Sequence, residues 1–238
     1  MPYHRAKQEP DAWKPGPRAT QHLRLLRTLG GSLVLGLLQD RGRIISETEI
    51  ARRYDVSRRV VRDVLLALLS KNVISRASPG FRVRQRQEWH LFDPEVIGWY
   101  DEAGQSSELL AHASEFCFAI EQEAASLSAR RRSDREAAEL LRCVEEMSEC
   151  TSEANLARSC AKFQTIVFEA SCNPLIMSTL PLAGLSLSKA IAANFSSHPD
   201  FQESVVRRYA HVAEAIGAGS AADARSAMRS VLDTQATR

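Results

Sequence analysis

The stretch that most constrains this chain is residues 46–65, SETEIARRYDVSRRVVRDVL. It is either one amphipathic helix with a charged outer face or two helices built around a turn. Two separate N-terminal signals favour two helices. Ser46 stands three residues before Glu49, the spacing of a capping box, where the serine hydroxyl accepts from the Glu49 amide and the carboxylate reaches back. Ile50, Ala51 and Tyr54 give that short helix a buried side, and Asp55-Val56 interrupts it. Ser57 is a fresh N-cap, after which Val60, Val61, Val64, Leu65, Leu68 and Leu69 recur at helical spacing to about Ser70.

The flanks extend the pattern. Residues 21–38, QHLRLLRTLGGSLVLGLL, place Leu23, Leu26, Leu29, Leu33 and Leu37 on one helix face, with an end marked by Asp40-Arg41-Gly42. Gly30 and Gly31 weaken this helix by roughly 1 kcal/mol each relative to alanine. Residues 73–86, VISRASPGFRVRQR, alternate apolar with polar residues about Ser78-Pro79-Gly80, which predicts a β-hairpin. Helix, helix-turn-helix and basic hairpin follow one another in the order of a winged helix-turn-helix domain, over residues 21–87. Residues 1–20, broken by proline, read as a flexible basic tail, and 88–104 as an aromatic-rich linker. Beyond it only helical periodicity is present, at 106–131, 134–150, 153–171, 174–195, 200–217 and 220–235. The expected fold is therefore mainly α: three helices plus a β-hairpin, then an all-α bundle over 105–238.

Charge divides along the same line. Residues 1–90 hold 18 Lys and Arg against 8 Asp and Glu, a balance of +10; the remainder holds 13 against 21, a balance of −8. A basic part of this kind suits a polyanion. An α-helix fits the DNA major groove, and the arginine fork matches guanine edges and phosphates. Arg58, Arg59 and Arg62 lie on the first turns of the second helix, off its apolar stripe, where a recognition helix meets bases. Arg82, Arg84 and Arg86 on the hairpin could follow the backbone or minor groove. The plain alternative, a solvated arginine-rich helix face, has to explain the paired caps, the basic hairpin and the charge balance separately.

Other classes find little support. No apolar run approaches the ~18 residues of a membrane helix. The five cysteines all fall beyond residue 90 and form no CxxC pair, which points to free thiols in a reducing cytoplasm. No nucleophile elbow, P-loop, dinucleotide fingerprint or metal cluster is present, so no enzyme is expected.

SETEIARRYDVSRRVVRDVLLALLSKNVISRASPGFRV resembles the DNA-binding domain of the GntR transcription regulators. On that resemblance Arg58, Arg62 and Gly80 match positions that contact DNA, Ser57 opens the recognition helix, and Thr48 stands where another contacting arginine is common. Ile45 replaces a usual proline. EWHLFDPEVIGWY (88–100) is similar to the linker of the FadR-type branch, especially regulators of sugar-acid catabolism. EFCFAIEQEAASLSARRRSDREAAELLRCVEEM (115–147), FQTIVFEASCNPLI (163–176) and RRYAHVAEAIGAGSAADARSAM (207–228) resemble the helices of the FCD ligand-binding domain.

In most FCD domains an Asp and three His hold a divalent metal, and an Arg pairs with the effector's carboxylate. Here the Asp position is Cys160, the first His is Gln164, another falls near Leu187 and the last is Tyr209; the Arg position is Cys117. No metal cofactor is expected from that donor set. The resemblance implies a homodimeric regulator, by family habit a repressor. It would bind a pseudo-palindromic operator in double-stranded DNA and be modulated by a small-molecule effector of the sugar-acid kind, in a pocket at Cys117, Cys160, Gln164 and Tyr209. A vestigial pocket on an effector-independent or non-specific DNA-binding protein is the other reading, and a thiol switch between Cys117 and Cys160 a sharper one.

Overall fold

The structure, a computed structural model, describes residues 17–40, 43–44, 46–78, 80–198 and 200–235. Most of the expected basic tail, together with Gly42 and Ile45, lies outside the described residues. The chain forms two compact units, residues 1–91 and 92–238.

The first unit opens with helix α1 (Pro17–Val34), which buries Leu25, Leu26, Leu29, Leu33 and Val34. It ends earlier than the leucine spacing suggests. Gly36 takes the left-handed conformation at φ 71°, its N–H donates to the Leu33 carbonyl, and Leu37 N–H donates to Ser32. This pairing is a Schellman motif, which closes the helix and leaves Leu37 exposed. Helices α2 (Glu47–Tyr54) and α3 (Arg58–Ser70) follow, each with its serine N-cap: the Ser46 hydroxyl accepts from Glu49 N–H, and that of Ser57 from Val60 N–H, while the return bond expected from the Glu49 carboxylate is not formed among the described residues. Asp55, left-handed at φ 51°, makes the turn between them. Val60, Val61, Val64, Leu65 and Leu68 of α3 are buried, and α3 packs on α1. Asn72, at φ 59°, ends α3 with a second Schellman pair.

The predicted hairpin is β3 (Ile74–Arg76) with β4 (Phe81–Val83), in antiparallel register Ile74↔Val83, Ser75↔Arg82 and Arg76↔Phe81. It does not stand alone. Two further strands, β1 (Gln39–Asp40) and β2 (Arg43–Ile44), extend it to a four-stranded sheet ordered β1-β2-β4-β3. Two-residue strands are too short to show alternation, so periodicity could not find them.

The second unit is helical. Helix α4 (Pro94–Glu102) occupies much of the stretch read as linker, with Asp93 as its N-cap and Pro94 in its first turn. It buries Val96, Ile97, Trp99 and Tyr100 and packs on later helices of this unit. Then come α5 (Ser106–Arg131), α6 (Asp134–Ser148), α7 (Glu153–Ala170), α8 (Pro174–Met177), α9 (Leu180–Asn194), α10 (Phe201–Gly217) and α11 (Ala221–Gln235). The helix expected at 174–195 is two helices. Pro181 has no N–H and its ring would clash within a continuous helix, so the chain breaks at Ser178-Thr179 and restarts with proline in the first turn of α9.

Helix α5 is the hub of the bundle, in contact with α7, α9, α10 and α11. Arginines close two helix ends: Arg131 donates to the Ser171 carbonyl after α7, and Arg132 to those of Ile216 and Gly217 at the end of α10.

Candidate nucleic-acid interface and the buried core cluster

In the first unit, the Ser57 cap starts α3 and so fixes which residues form its outer face. Arg58, Arg59 and Arg62 are all exposed there, opposite the buried valines. Thr48 is exposed on the first turn of α2, one residue from Glu47. The Glu47 carboxylate accepts from Arg62 Nε at 3.0 Å, and Arg62 keeps 69% of its side-chain exposure. Ser57 is exposed too; its oxygen is engaged as the cap acceptor, while its O–H remains able to donate.

The hairpin separates its arginines into two groups. Arg82 is exposed on β4, and Gly80 is exposed at the tip with φ +83°, a backbone that side-chain-bearing residues rarely adopt. Arg84 is half-buried, its Nη1 held by Glu88 at 2.8 Å while its carbonyl accepts from Trp89 Nε1. Arg86 donates from Nη2 to the Val34 carbonyl at 2.7 Å, which closes the end of α1. Arg84 and Arg86 therefore hold the domain together, while Arg58, Arg59, Arg62 and Arg82, like Arg76 on β3, keep their side chains exposed.

The second unit brings all four expected pocket residues into its core. Cys117 on α5, Cys160 and Gln164 on α7 and Tyr209 on α10 are each buried. Tyr209 stands edge-on to Phe163, with ring centroids 4.9 Å apart and planes at 84°. Burial pushes the Cys160 thiol up to about 12, against a hydrogen bond from Tyr209. Burial also pushes Cys117 up to about 12, and the neighbouring Glu121 adds to the effect. Both stay protonated at neutral pH, which removes the thiolate a redox switch between them would need. Cys172 is exposed. Iodoacetamide on the native protein is expected to label Cys172 and leave Cys117 and Cys160 unmodified, read by peptide mass spectrometry; labelling of Cys160 ahead of Cys172 would contradict this placement.

One residue of this cluster was not expected from the sequence. Glu121 is 5% exposed, one helical turn after Cys117. Burial pushes its carboxyl up to about 7, only partly opposed by a hydrogen bond from Gln164. Gln164 Oε1 is buried without a partner. The signal was present: Ala113, Cys117, Ala124 and Ser128 are buried at helical spacing, and Glu121 falls in their stripe.

The donor set does not fit a hard divalent ion. Cys160 is a protonated thiol, Gln164 a neutral amide, Tyr209 a phenol and Leu187 a buried hydrocarbon. Among the described residues no three His, Cys, Asp or Glu side chains are grouped to hold a metal. His112, His198 and His211 are exposed on the surface. Among those residues, too, no helix is long and apolar enough to cross a membrane.

The FCD domain family matches residues 112–234, more than half of the 238. The galactonate operon transcriptional repressor of Escherichia coli K12 is 25% identical over 175 residues, covering 71% of this chain and 74% of that protein. Among solved structures, Lar, described as controlling the Listeria monocytogenes agr system, aligns with a TM-score of 0.56 at 16% identity, over 94% of this chain and 96% of its own. Streptococcus agalactiae GntR aligns at 0.50 and 17%, over 87% and 97%. These two structures support the fold: a winged helix-turn-helix followed by a helical domain. The chain belongs to the FCD domain family, as a GntR-type transcription regulator of the FadR branch.

Proposed function

We propose that this regulator is a repressor that binds a pseudo-palindromic operator as a homodimer in the cytoplasm. Each copy docks α3 in the major groove and the β3–β4 wing beside it. The observation that carries this is the row of Arg58, Arg59 and Arg62 on the outer face of a capped α3, with Arg82 and the bare Gly80 tip on the wing. Two copies related by a twofold axis match two half-sites one helical turn or a multiple apart. Arg58 and Arg62 are the base-reading candidates, Arg59 and Arg82 the phosphate contacts, and Thr48 and Ser57 neutral donors to phosphate. Arg62→Ala is expected to weaken operator binding by about 1–3 kcal/mol and relax specificity at one base pair. An unchanged affinity removes Arg62 from the interface.

The helical unit is the sensor in this reading, with Cys117, Cys160, Gln164 and Tyr209 lining a metal-free pocket. A small molecule shifts DNA affinity only by binding one arrangement of the two DNA-binding heads better than another. The name of the E. coli relative and the wider resemblance support a sugar-acid effector. The core cluster itself offers acceptors and no Lys or Arg to meet a carboxylate. The test is fluorescence anisotropy of the full-length protein on its own upstream DNA and on a scrambled duplex, at one near-physiological salt. The bound probe is then titrated with aldonates and neutral sugars, with and without a divalent metal. Preference for the upstream duplex and metal-independent release by one ligand support the reading. Release that needs the metal contradicts the metal-free pocket.

A further inference from the structure

We propose that Glu47 is a positioning residue for Arg62. Its carboxylate holds the Nε edge of the guanidinium and leaves the two terminal nitrogens as an end-on fork for a guanine edge. This rests on the reading above that Arg62 meets a base.

The geometry begins with the two caps. Ser46 starts α2 at Glu47, and Ser57 starts α3 so that Arg62 falls on its second turn. The turn at Asp55 brings these positions, fifteen residues apart, to 3.0 Å between Glu47 Oε2 and Arg62 Nε. Among the described residues neither terminal nitrogen of Arg62 has an acceptor, and the side chain is 69% exposed against 33% for Glu47. An exposed ion pair of this kind contributes little to stability. Its consequence is directional. A free arginine samples many rotamers and pairs with any phosphate; one held at Nε presents a planar two-donor edge that matches guanine O6 and N7.

A second consequence follows from charge. A carboxylate on the DNA-facing side of α2 repels phosphate whatever the sequence, so it weakens non-specific binding, which is electrostatic. Glu47 therefore raises discrimination from both sides, by aligning the donor that reads a base and by penalising duplexes without that base.

Glu47 also sits in the first turn of α2, where a negative side chain favours the helix dipole. Two variants separate the roles. Glu47→Gln removes the charge. Glu47→Asp keeps the charge at the helix start but is one methylene too short for the contact. Each full-length variant, with Arg62→Ala beside it, is assayed by anisotropy on three kinds of duplex. These are an operator selected from random DNA, that operator with each G·C pair replaced in turn, and a scrambled sequence. Thermal melting by circular dichroism checks folding.

The expected result is that Arg62→Ala loses on the order of tenfold discrimination at one G·C pair. Both Glu47 variants should lose about fivefold or more at that same pair, and Glu47→Gln alone should bind the scrambled duplex about twofold tighter. If Arg62→Ala loses discrimination while both Glu47 variants keep it, Glu47 only caps its helix and the proposal is overturned. If Arg62→Ala keeps full discrimination, base reading by Arg62 fails and the proposal with it, and the Arg62 arm identifies that failure.

Discussion

Replacing Glu121 by glutamine is expected to stabilise the helical unit by about 3 kcal/mol at pH 8 relative to its effect at pH 4. The native carboxyl is pushed from its usual 4.5 to about 7, chiefly by burial. At pH 4 it is neutral both folded and unfolded and carries no penalty. Between 4.5 and 7 the unfolded chain ionises while the folded one does not, so stability falls as pH rises, by about 1.4 kcal/mol per pH unit. Above 7 both states are ionised and the penalty is constant. Glutamine does not titrate, and its amide can donate to Gln164 Oε1, the acceptor that lacks a partner in the native core. Urea unfolding followed by far-ultraviolet circular dichroism at pH 4, 5, 6, 7 and 8 reads the difference. Parallel pH dependence of the native protein and Glu121→Gln would mean that Glu121 titrates near its ordinary value in the folded chain, which would contradict its placement in a desolvated core.

Phe163→Ala should cost about 3–5 kcal/mol, the range for truncating a fully buried aromatic. Phe163 is 0% exposed and meets the Tyr209 ring edge-on. Its loss leaves a cavity beside Cys160 and Gln164, on the same helix, and removes an aromatic pair that tethers α10 to α7. Amide hydrogen exchange should show α7 and α10 opening together while α3 keeps its protection. Equal loss of protection in α2 and α3 would contradict an effect confined to the second unit.

Much of the first unit was legible because its punctuation is chemical and local. Ser46 and Ser57 each cap one helix, and Ser78-Pro79-Gly80 separates two strands. The starts of α6 and α7 were legible from helical periodicity alone, and the structure shows them capped by Ser133 and Ser152, which accept from the Glu136 and Asn155 amides. The early end of α1 depended on Gly36 turning left-handed, which leucine spacing cannot weigh. Two signals were in the sequence and outweighed by periodicity or composition: Pro181 at the start of α9, and Asp93-Pro94 at the start of α4.

The site was legible in part. Exposed arginines follow from the apolar stripe they avoid, and the four buried positions of the core cluster, proposed above as a pocket, came from resemblance. Tertiary contacts decided the rest. Arg84 and Arg86 look like Arg82 in sequence, and only packing assigns them to Glu88 and the end of α1. Glu121 looks like its neighbour Glu123, yet one is in the core and the other reaches Arg225 on the surface.

The central claim is that α3 reads sequence. Its most direct test is selection of full-length protein on a pool of random duplexes at near-physiological salt, with Arg58→Ala and Arg62→Ala in parallel. An enriched inverted repeat is expected, its two half-sites one helical turn or a multiple apart, with each variant losing preference at one position of each half-site. A pool that emerges without any enriched sequence, bound only in proportion to its charge and released steeply by salt, would contradict it.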